Sequence, residues 1–438
     1  MTGPSSIPDR PVGSLTPILA ISFIASMGTG VLTYGVFFLA RHGFAFTTTQ
    51  NFLLGVLFGI CYVPSALLIG PILRRAGDRT GAMMPRRSLA AILLALAGVC
   101  FVPGAALGMV GGEGTEGVAW SIWLVVGANG VLSGILWPII EAYVAGGRSG
   151  RALSSAMGRF NIAWATALVV AFWAIGPLVQ SHPLGVLAGL GMVHLLGVAL
   201  VPALAAAPPQ PGRESVSSHP PTYGRLLVLF RFMLPTSFIA IGALSPYLPT
   251  ALDRIGVDTA WQTPMVATYL AARVVGFLIL ERWHGWHGRF WAPPVGAGLM
   301  LGGFASVVLA PSIHGSDAAT WVLLAGLAGF GAGVALIYAA ALYYAMEVGS
   351  GRVDSGGTHE ALIGVGDLIG AGLGLGAQTA SGRLPSPLGS FEILVLILIG
   401  LSTLIVLASA LLASRPGIES APRTGQYRRP CDQTTDKQ

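Results

Sequence analysis

The chain has 438 residues, of which 53% are hydrophobic and 10% are charged, with a net charge of +6. Soluble domains carry about 25% charged residues, and they could not bury this much apolar surface. A membrane span needs about 20 apolar residues, so the composition is enough for about ten to twelve spans. It excludes a soluble enzyme and a secreted disulfide scaffold. A nucleic-acid-binding protein is excluded too, because the arginines lie between apolar stretches and form no basic face.

Apolar segments follow one another along the whole chain. They are continuous and do not alternate with polar residues, which favours helices over a β-barrel. The breaks between them contain Gly, Pro, Arg, Asp or Ser, as turns outside lipid do. The sequence predicts an all-α polytopic membrane protein with twelve transmembrane helices, at residues 15–40, 50–74, 88–110, 119–146, 152–179, 184–207, 225–250, 262–281, 291–312, 319–347, 358–381 and 389–413.

A long connection rich in Pro and Ser, residues 208–224, divides the chain into two halves. Short repeats support a duplication: Tyr34 precedes Arg41 at the spacing at which Tyr247 precedes Arg254. Internal repeats of this kind are frequent in transporters. We therefore predict two pseudo-symmetric six-helix lobes and three polar segments, divided as 1–14 (cytoplasmic tail), 15–207 (first lobe), 208–224 (cytoplasmic linker), 225–413 (second lobe) and 414–438 (disordered cytoplasmic tail).

The distribution of Arg and Lys predicts the orientation in the membrane. If the N-terminus is cytoplasmic, 18 of the 24 cationic residues fall in inner loops and tails, and 3 fall in outer loops. Positive residues are concentrated on the cytoplasmic side of membrane proteins. The prediction is therefore a protein of the cytoplasmic membrane with both termini in the cytoplasm.

The loop after the second segment carries a recognisable motif. It begins at Gly70 and continues to Asp78-Arg79-Thr80-Gly81, with further arginines beyond. The fourth segment contains Gly130, Gly134 and Pro138 at helical spacing. Both features resemble the major facilitator superfamily.

This resemblance implies a set of expectations about fold and mechanism. It implies two lobes around a central cavity and transport by alternating access, with Asp78, Arg79 and Gly81 forming a loop that controls conformational switching. Val126 and Asn129 stand where the fourth helix of the superfamily often carries Arg and Gln. The coupling ion is therefore left open.

Ionisable residues inside the spans indicate where the pathway lies, because charges in lipid are costly and usually face a protein interior or a watery cavity. Arg273 and Asp367 lie near the middle of the eighth and eleventh segments. They are predicted to form a cavity pair, and the alternative is a structural ion pair without a role in transport. Tyr269, Tyr338 and Trp137 are further candidates for the cavity wall.

A second group of candidates lies near the inner ends of the spans. Glu141, Arg159, His359 and Glu360 are predicted to form a cytoplasmic gate, with Arg159 paired to Glu360 across the lobes. The alternative is that they are interfacial charges that reach the aqueous phase. No metal site or cofactor is predicted, since Ile363 stands where a His-Glu-x-x-His motif needs its second His.

The sequence thus predicts a secondary active transporter, acting as a monomer on a small solute, with a coupling proton or other ion left open as a second partner. Two alternatives remain: a polytopic membrane enzyme, and a sensor that kept the transporter fold but does not transport.

Overall fold

The structure is a computed structural model that describes residues 14–80, 84–110, 114–148, 150–209, 220–348, 353–383, 385 and 390–413. Within these ranges the chain is helical and contains no strand. This confirms the predicted all-α class.

Twelve long helices account for most of the described residues. Each is long and apolar enough to cross a membrane, and a helix satisfies its backbone hydrogen bonds internally, as lipid requires. The helices are α1 (Leu15–Gly43), α2 (Thr48–Thr80), α3 (Met84–Val110), α4 (Trp120–Ala145), α5 (Gly150–Ile175), α6 (Pro183–Leu200), α7 (Pro221–Leu244), α8 (Thr259–Arg282), α9 (Ala292–Leu309), α10 (Ser316–Val348), α11 (Val353–Ala380) and α12 (Phe391–Ala413). A short helix, Leu248–Ile255, connects α7 to α8. The chain is therefore an integral membrane protein, and the predicted number of spans is confirmed.

Helix packing repeats between the two halves of the chain. In the first half, α1 packs on α5, α2 on α4, and α3 on α6. In the second half, α7 packs on α11 and α8 on α10, which are the same pairs six helices later, whereas α9 packs mainly on α10 and only weakly on α12. Two of the pairs in each half correspond, which agrees with the two six-helix lobes that the sequence predicts.

The lobes meet through two symmetry-related pairs, α2 with α11 and α5 with α8, and through α4 with α11. We call the end of the bundle that carries the α4–α5 connection the inner end, and the opposite end the outer end, following the predicted orientation. Since α11 touches both α2 and α4 of the first lobe, side chains on α11 are well placed to sense movement between the lobes.

Two local features of the helices shape the interior. The outer part of α1 contains π-helical turns at Val31–Gly35 and Leu39–Gly43, and such turns are frequent at functional sites. Tyr34 lies in the first of them. On α7, Gly242 lies directly against the backbone of Asp367, and a methyl group there would overlap it. This close approach holds α11 against α7 at the level of Asp367.

Candidate functional site

A cavity lies between the lobes, near the middle of the bundle. It has a volume of ≈ 90 Å³, and the lobes contact each other on both sides of it. Eight helices supply its wall, four from each lobe: α1, α2, α4 and α5 from the first, and α7, α8, α10 and α11 from the second. The lining residues are Ser26, Thr29, Gly30, Thr33, Tyr34, Phe58, Tyr62, Ser133, Trp137, Phe160, Trp164, Leu168, Phe238, Arg273, Tyr338, Glu360, Ile363 and Asp367. A cavity at a lobe interface with aromatic walls and a few ionisable groups is the usual form of a small-molecule site.

Four of the five predicted cavity residues line this space. Asp367, Arg273, Tyr338 and Trp137 are in its wall. Tyr269 is buried about one turn before Arg273 on α8, outside the wall, and its hydroxyl has no hydrogen-bond partner. Their role in binding a solute stays a prediction.

Arg273 is held by aromatic rings. Its guanidinium carbon lies 4.7 Å from the centre of the Trp164 ring, 5.6 Å from Tyr338 and 5.9 Å from Phe277. The faces of these rings attract a cation, and the attraction is stronger where water is excluded. The sequence does not identify Trp164 as part of the site, because a tryptophan in an apolar segment carries no sign of which way it faces.

The predicted pair of Arg273 and Asp367 does not form a direct salt bridge. Both side chains are buried, and neither forms an ion pair with another residue in the described part of the chain. The Nε and Nη2 atoms of Arg273 and the Oδ2 atom of Asp367 have no hydrogen-bond partner. The two groups therefore offer free donors and a free acceptor across one cavity.

Three of the four predicted gate residues lie together, and the fourth, Arg159, lies apart from them. Glu141 on α4 lies beside His359 and Glu360 on α11, with ligand-type atoms of all three within 4.8 Å of one another. All three are buried. Arg159 is exposed and makes no ion pair with Glu360, whose carboxylate accepts a hydrogen bond from the Tyr62 hydroxyl. The expected Arg159–Glu360 pair is therefore wrong for this conformation, while the gate role of the group stays a prediction.

The outer end carries a polar network between the lobes that the sequence reasoning did not identify as a site. Arg41 pairs with Asp253 at 3.3 Å, and Gln262 donates to Asp253 at 2.9 Å. His42 lies 2.8 Å from the Gln262 side-chain oxygen. Thr48 and Thr250 share a hydrogen bond of 2.7 Å. The repeated Tyr–Arg spacing was a signal for these two loops, but it did not indicate that they touch.

Part of the predicted switch loop lies beyond what the structure describes. Gly81 is outside the described residues, and the side chains of Asp78 and Arg79 are as well. Their role in conformational switching remains a prediction.

Another polar group lies at the inner end, around the α8–α9 connection. The His287 ring stacks on Tyr343 with 4.3 Å between centres. Burial, together with the neighbouring His284, lowers the pKa of His287 from 6.5 to about 4. The imidazole is thus neutral at neutral pH.

Comparisons with known proteins show similarity in structure and none in sequence. No family model matches the chain, and no curated protein does. A variant of the nucleoside transporter NupG superposes with a TM-score of 0.60 at 13% identity, covering 92% of this chain and 100% of the other. A bacterial homologue of the human lysosomal transporter Spinster gives 0.55 at 15%, covering 92% and 96%. The human organic anion transporter MFSD10 gives 0.56 at 15%, covering 91% and 99%.

These likenesses extend over nearly the whole of each chain. The protein therefore has the twelve-helix fold of membrane transporters. The shared fold agrees with the two-lobed, twelve-helix architecture that the resemblance in the sequence implies.

Proposed function

We propose that the protein is a secondary active transporter that moves a small organic solute across the cytoplasmic membrane by alternating access. The observation that carries this proposal is the cavity between the lobes, in which Arg273 and Asp367 present unpartnered polar atoms. Unpartnered buried polar groups are costly, so a solute that bonds them gains affinity. The fold shared with NupG, the Spinster homologue and MFSD10 supports the same conclusion.

The wall chemistry favours a solute with an anionic group and a planar or apolar body. The free Nε and Nη2 of Arg273 suit a carboxylate, which guanidinium binds in a two-point fork. Trp164, Tyr338 and Phe238 provide apolar and aromatic contact, and Asp367 provides an acceptor for an amine or hydroxyl. Arg273 and Asp367 belong to the second lobe and Trp164 to the first, so a solute that contacts all three would bridge the lobes, which links binding to their movement.

Transport would draw on a gradient of a proton, another ion or a second solute, because the sequence has no nucleotide-binding motif. We further propose that both termini are cytoplasmic and that one chain, a monomer, is the transport unit. Each lobe would then move as one body around the cavity.

The test is a thermal-shift screen of purified protein with small carboxylic acids, each paired with its amide, followed by flux into proteoliposomes. We expect an acid to stabilise the protein more than its amide does. Arg273→Gln should reduce flux of that acid at least about tenfold, the loss expected when a charged hydrogen bond of about 1.5–3 kcal/mol is removed.

The matched control is Arg282→Gln, which removes an exposed arginine at the end of the same helix. It should transport as the parent does. If Arg273→Gln folds and carries the acid at the parent rate, the cavity assignment is wrong. Binding without flux in every vesicle preparation would instead favour the sensor alternative.

A further inference from the structure

The buried group at the inner end has a composition that the sequence motifs did not reveal. Glu141 comes from the first lobe, and His359 and Glu360 come from the second. One ligand-type atom from each lies within 4.8 Å of the other two. Glu141 is 1% exposed, His359 4% and Glu360 5%. Two carboxyl groups and one imidazole thus converge from two helices that are more than 200 residues apart in sequence.

Several of these atoms have no partner. Among the described residues, no donor bonds the carboxyl oxygens of Glu141 or partners the Nε2 atom of His359. The carboxyl groups of Glu141 and Glu360 are close enough to share a proton, and that proton is what a bound cation would replace. Glu360 accepts from Tyr62, which leaves further lone pairs on its carboxylate. Unpartnered buried groups of this kind are rare in proteins and need an explanation. Here the unpartnered atoms all belong to groups that bind metals.

The charges of the two carboxyl groups also favour a bound cation. Two ionised carboxylates side by side in a dry interior repel each other and lose their hydration. No ion pair with Arg or Lys neutralises Glu141 or Glu360 in the described part of the chain. A divalent cation would cancel both charges and occupy the free lone pairs of all three residues.

We propose that Glu141, His359 and Glu360 form a binding site for a divalent first-row transition-metal ion, which joins the two lobes at the inner end. One imidazole nitrogen and two carboxylate oxygens suit Zn²⁺, Mn²⁺, Fe²⁺ or Co²⁺ better than Mg²⁺, which keeps most of its waters. Tyr62 orients Glu360, as residues around metal ligands commonly do. Glu360 and Tyr62 also line the central cavity, so an open coordination position would face the solute.

One neighbouring charge opposes the cation. Arg231 lines a cleft with His359 and Thr358, and Glu141 is not in its wall. Its side chain is exposed, so water screens much of its effect. The two buried carboxylates therefore dominate the potential at the site.

The experiment measures Co²⁺ binding to the purified full-length protein, prepared without a histidine tag, by the visible absorption of the bound ion. We expect one Co²⁺ per chain, displaced by Zn²⁺ and not by Mg²⁺. Glu141→Gln should weaken binding at least about tenfold, since even residues that only orient metal ligands contribute about 10–100-fold. Tyr62→Phe should weaken it by about tenfold for that reason.

The matched control removes His284 and His287, which lie near Glu281 on the surface of the same end. The variant His284→Ala with His287→Ala should keep full binding. If the Glu141 variant does not fold, Glu141→Asp and Tyr62→Phe give the same comparison. Absence of saturable binding overturns the proposal. So does unchanged affinity in the Glu141 and Tyr62 variants, or loss of binding in the surface control. Because binding is measured without flux, this result is independent of whether the protein transports.

Discussion

At the outer end of the lobe interface, the groups that meet are complementary: Arg41 faces Asp253, and Gln262 bonds both Asp253 and His42. At the inner end, Glu141 meets another carboxyl group, Glu360, beside an imidazole. The outer groups are about one third exposed at Arg41 and Asp253, with side-chain values of 33% and 32%. The inner groups are almost completely buried.

If the inner group binds a cation as proposed, the two ends respond to different conditions. The outer network satisfies its own charges, so its closure needs nothing from solution, and each exposed pair contributes only about 0.2–1 kcal/mol. The inner group lacks compensating charge, so its closure depends on a cation or on protons that neutralise the carboxylates. An alternating-access protein with this arrangement would have one end locked weakly and the other end controlled by what it binds.

The largest effect is expected at the inner end, where the difference in stability between Glu141→Gln and the parent should change sign between EDTA and saturating Zn²⁺. In EDTA, Glu141→Gln should raise the free energy of unfolding by about 1–3 kcal/mol, because it removes a buried carboxyl group without a partner. The amide of the introduced glutamine can also donate a hydrogen bond to Glu360. Thermal unfolding in detergent measures this, with Glu116→Gln, an exposed acid, as the control.

Saturating Zn²⁺ should reverse the order of the two proteins, since only the parent keeps all three ligands and gains stability from the bound ion. If Glu141→Gln is less stable than the parent in EDTA, the inner group is already satisfied, and the contrast between the two ends fails.

A smaller effect is expected at the outer end, where removing a charge should weaken the closed state. Asp253→Asn should shift the population toward an open outer end by about 1 kcal/mol, or roughly fivefold, because Arg41 loses its ion pair. Distances between spin labels at Thr47 and Arg383, both exposed, would report the opening.

The control for this prediction is the exchange Arg41→Asp with Asp253→Arg, which should restore the closed population if the pair itself is responsible. An Asp253→Asn distance distribution identical to that of the parent would show that the outer closure rests on helix packing alone.

The smallest effect concerns pH at the inner end. His287 has a pKa lowered to about 4 by burial and by His284, so the unfolded chain binds a proton more readily between pH 6.5 and 4. Stability contributed by His287 is therefore present above about pH 6.5 and lost as the pH falls toward 4. His287→Gln should show a shallower loss of thermal stability over this range. Equal slopes in both proteins would contradict the lowered pKa.

The sequence alone determined the twelve helices, the all-α class and the division into two halves. The reason is that lipid imposes local rules: about 20 apolar residues per span and backbone hydrogen bonds satisfied within each helix. The same rules identified Arg273, Asp367, Glu141 and Glu360 as unusual, since a charge within an apolar segment is visible without knowing its neighbours.

Only the tertiary structure decided which of these residues meet. Pairing depends on the rotation of each helix and on which helices are adjacent, and neither follows from hydropathy that is nearly uniform around the helix. Glu141 meets His359 and Glu360, while Arg159, at a similar depth, faces outward. The spacing around His359 offers no second His on the same helix, so the sequence contains no metal motif within α11. The three-residue group that crosses between the lobes is visible only once α4 and α11 are packed together, because its members are far apart in the chain and close in space.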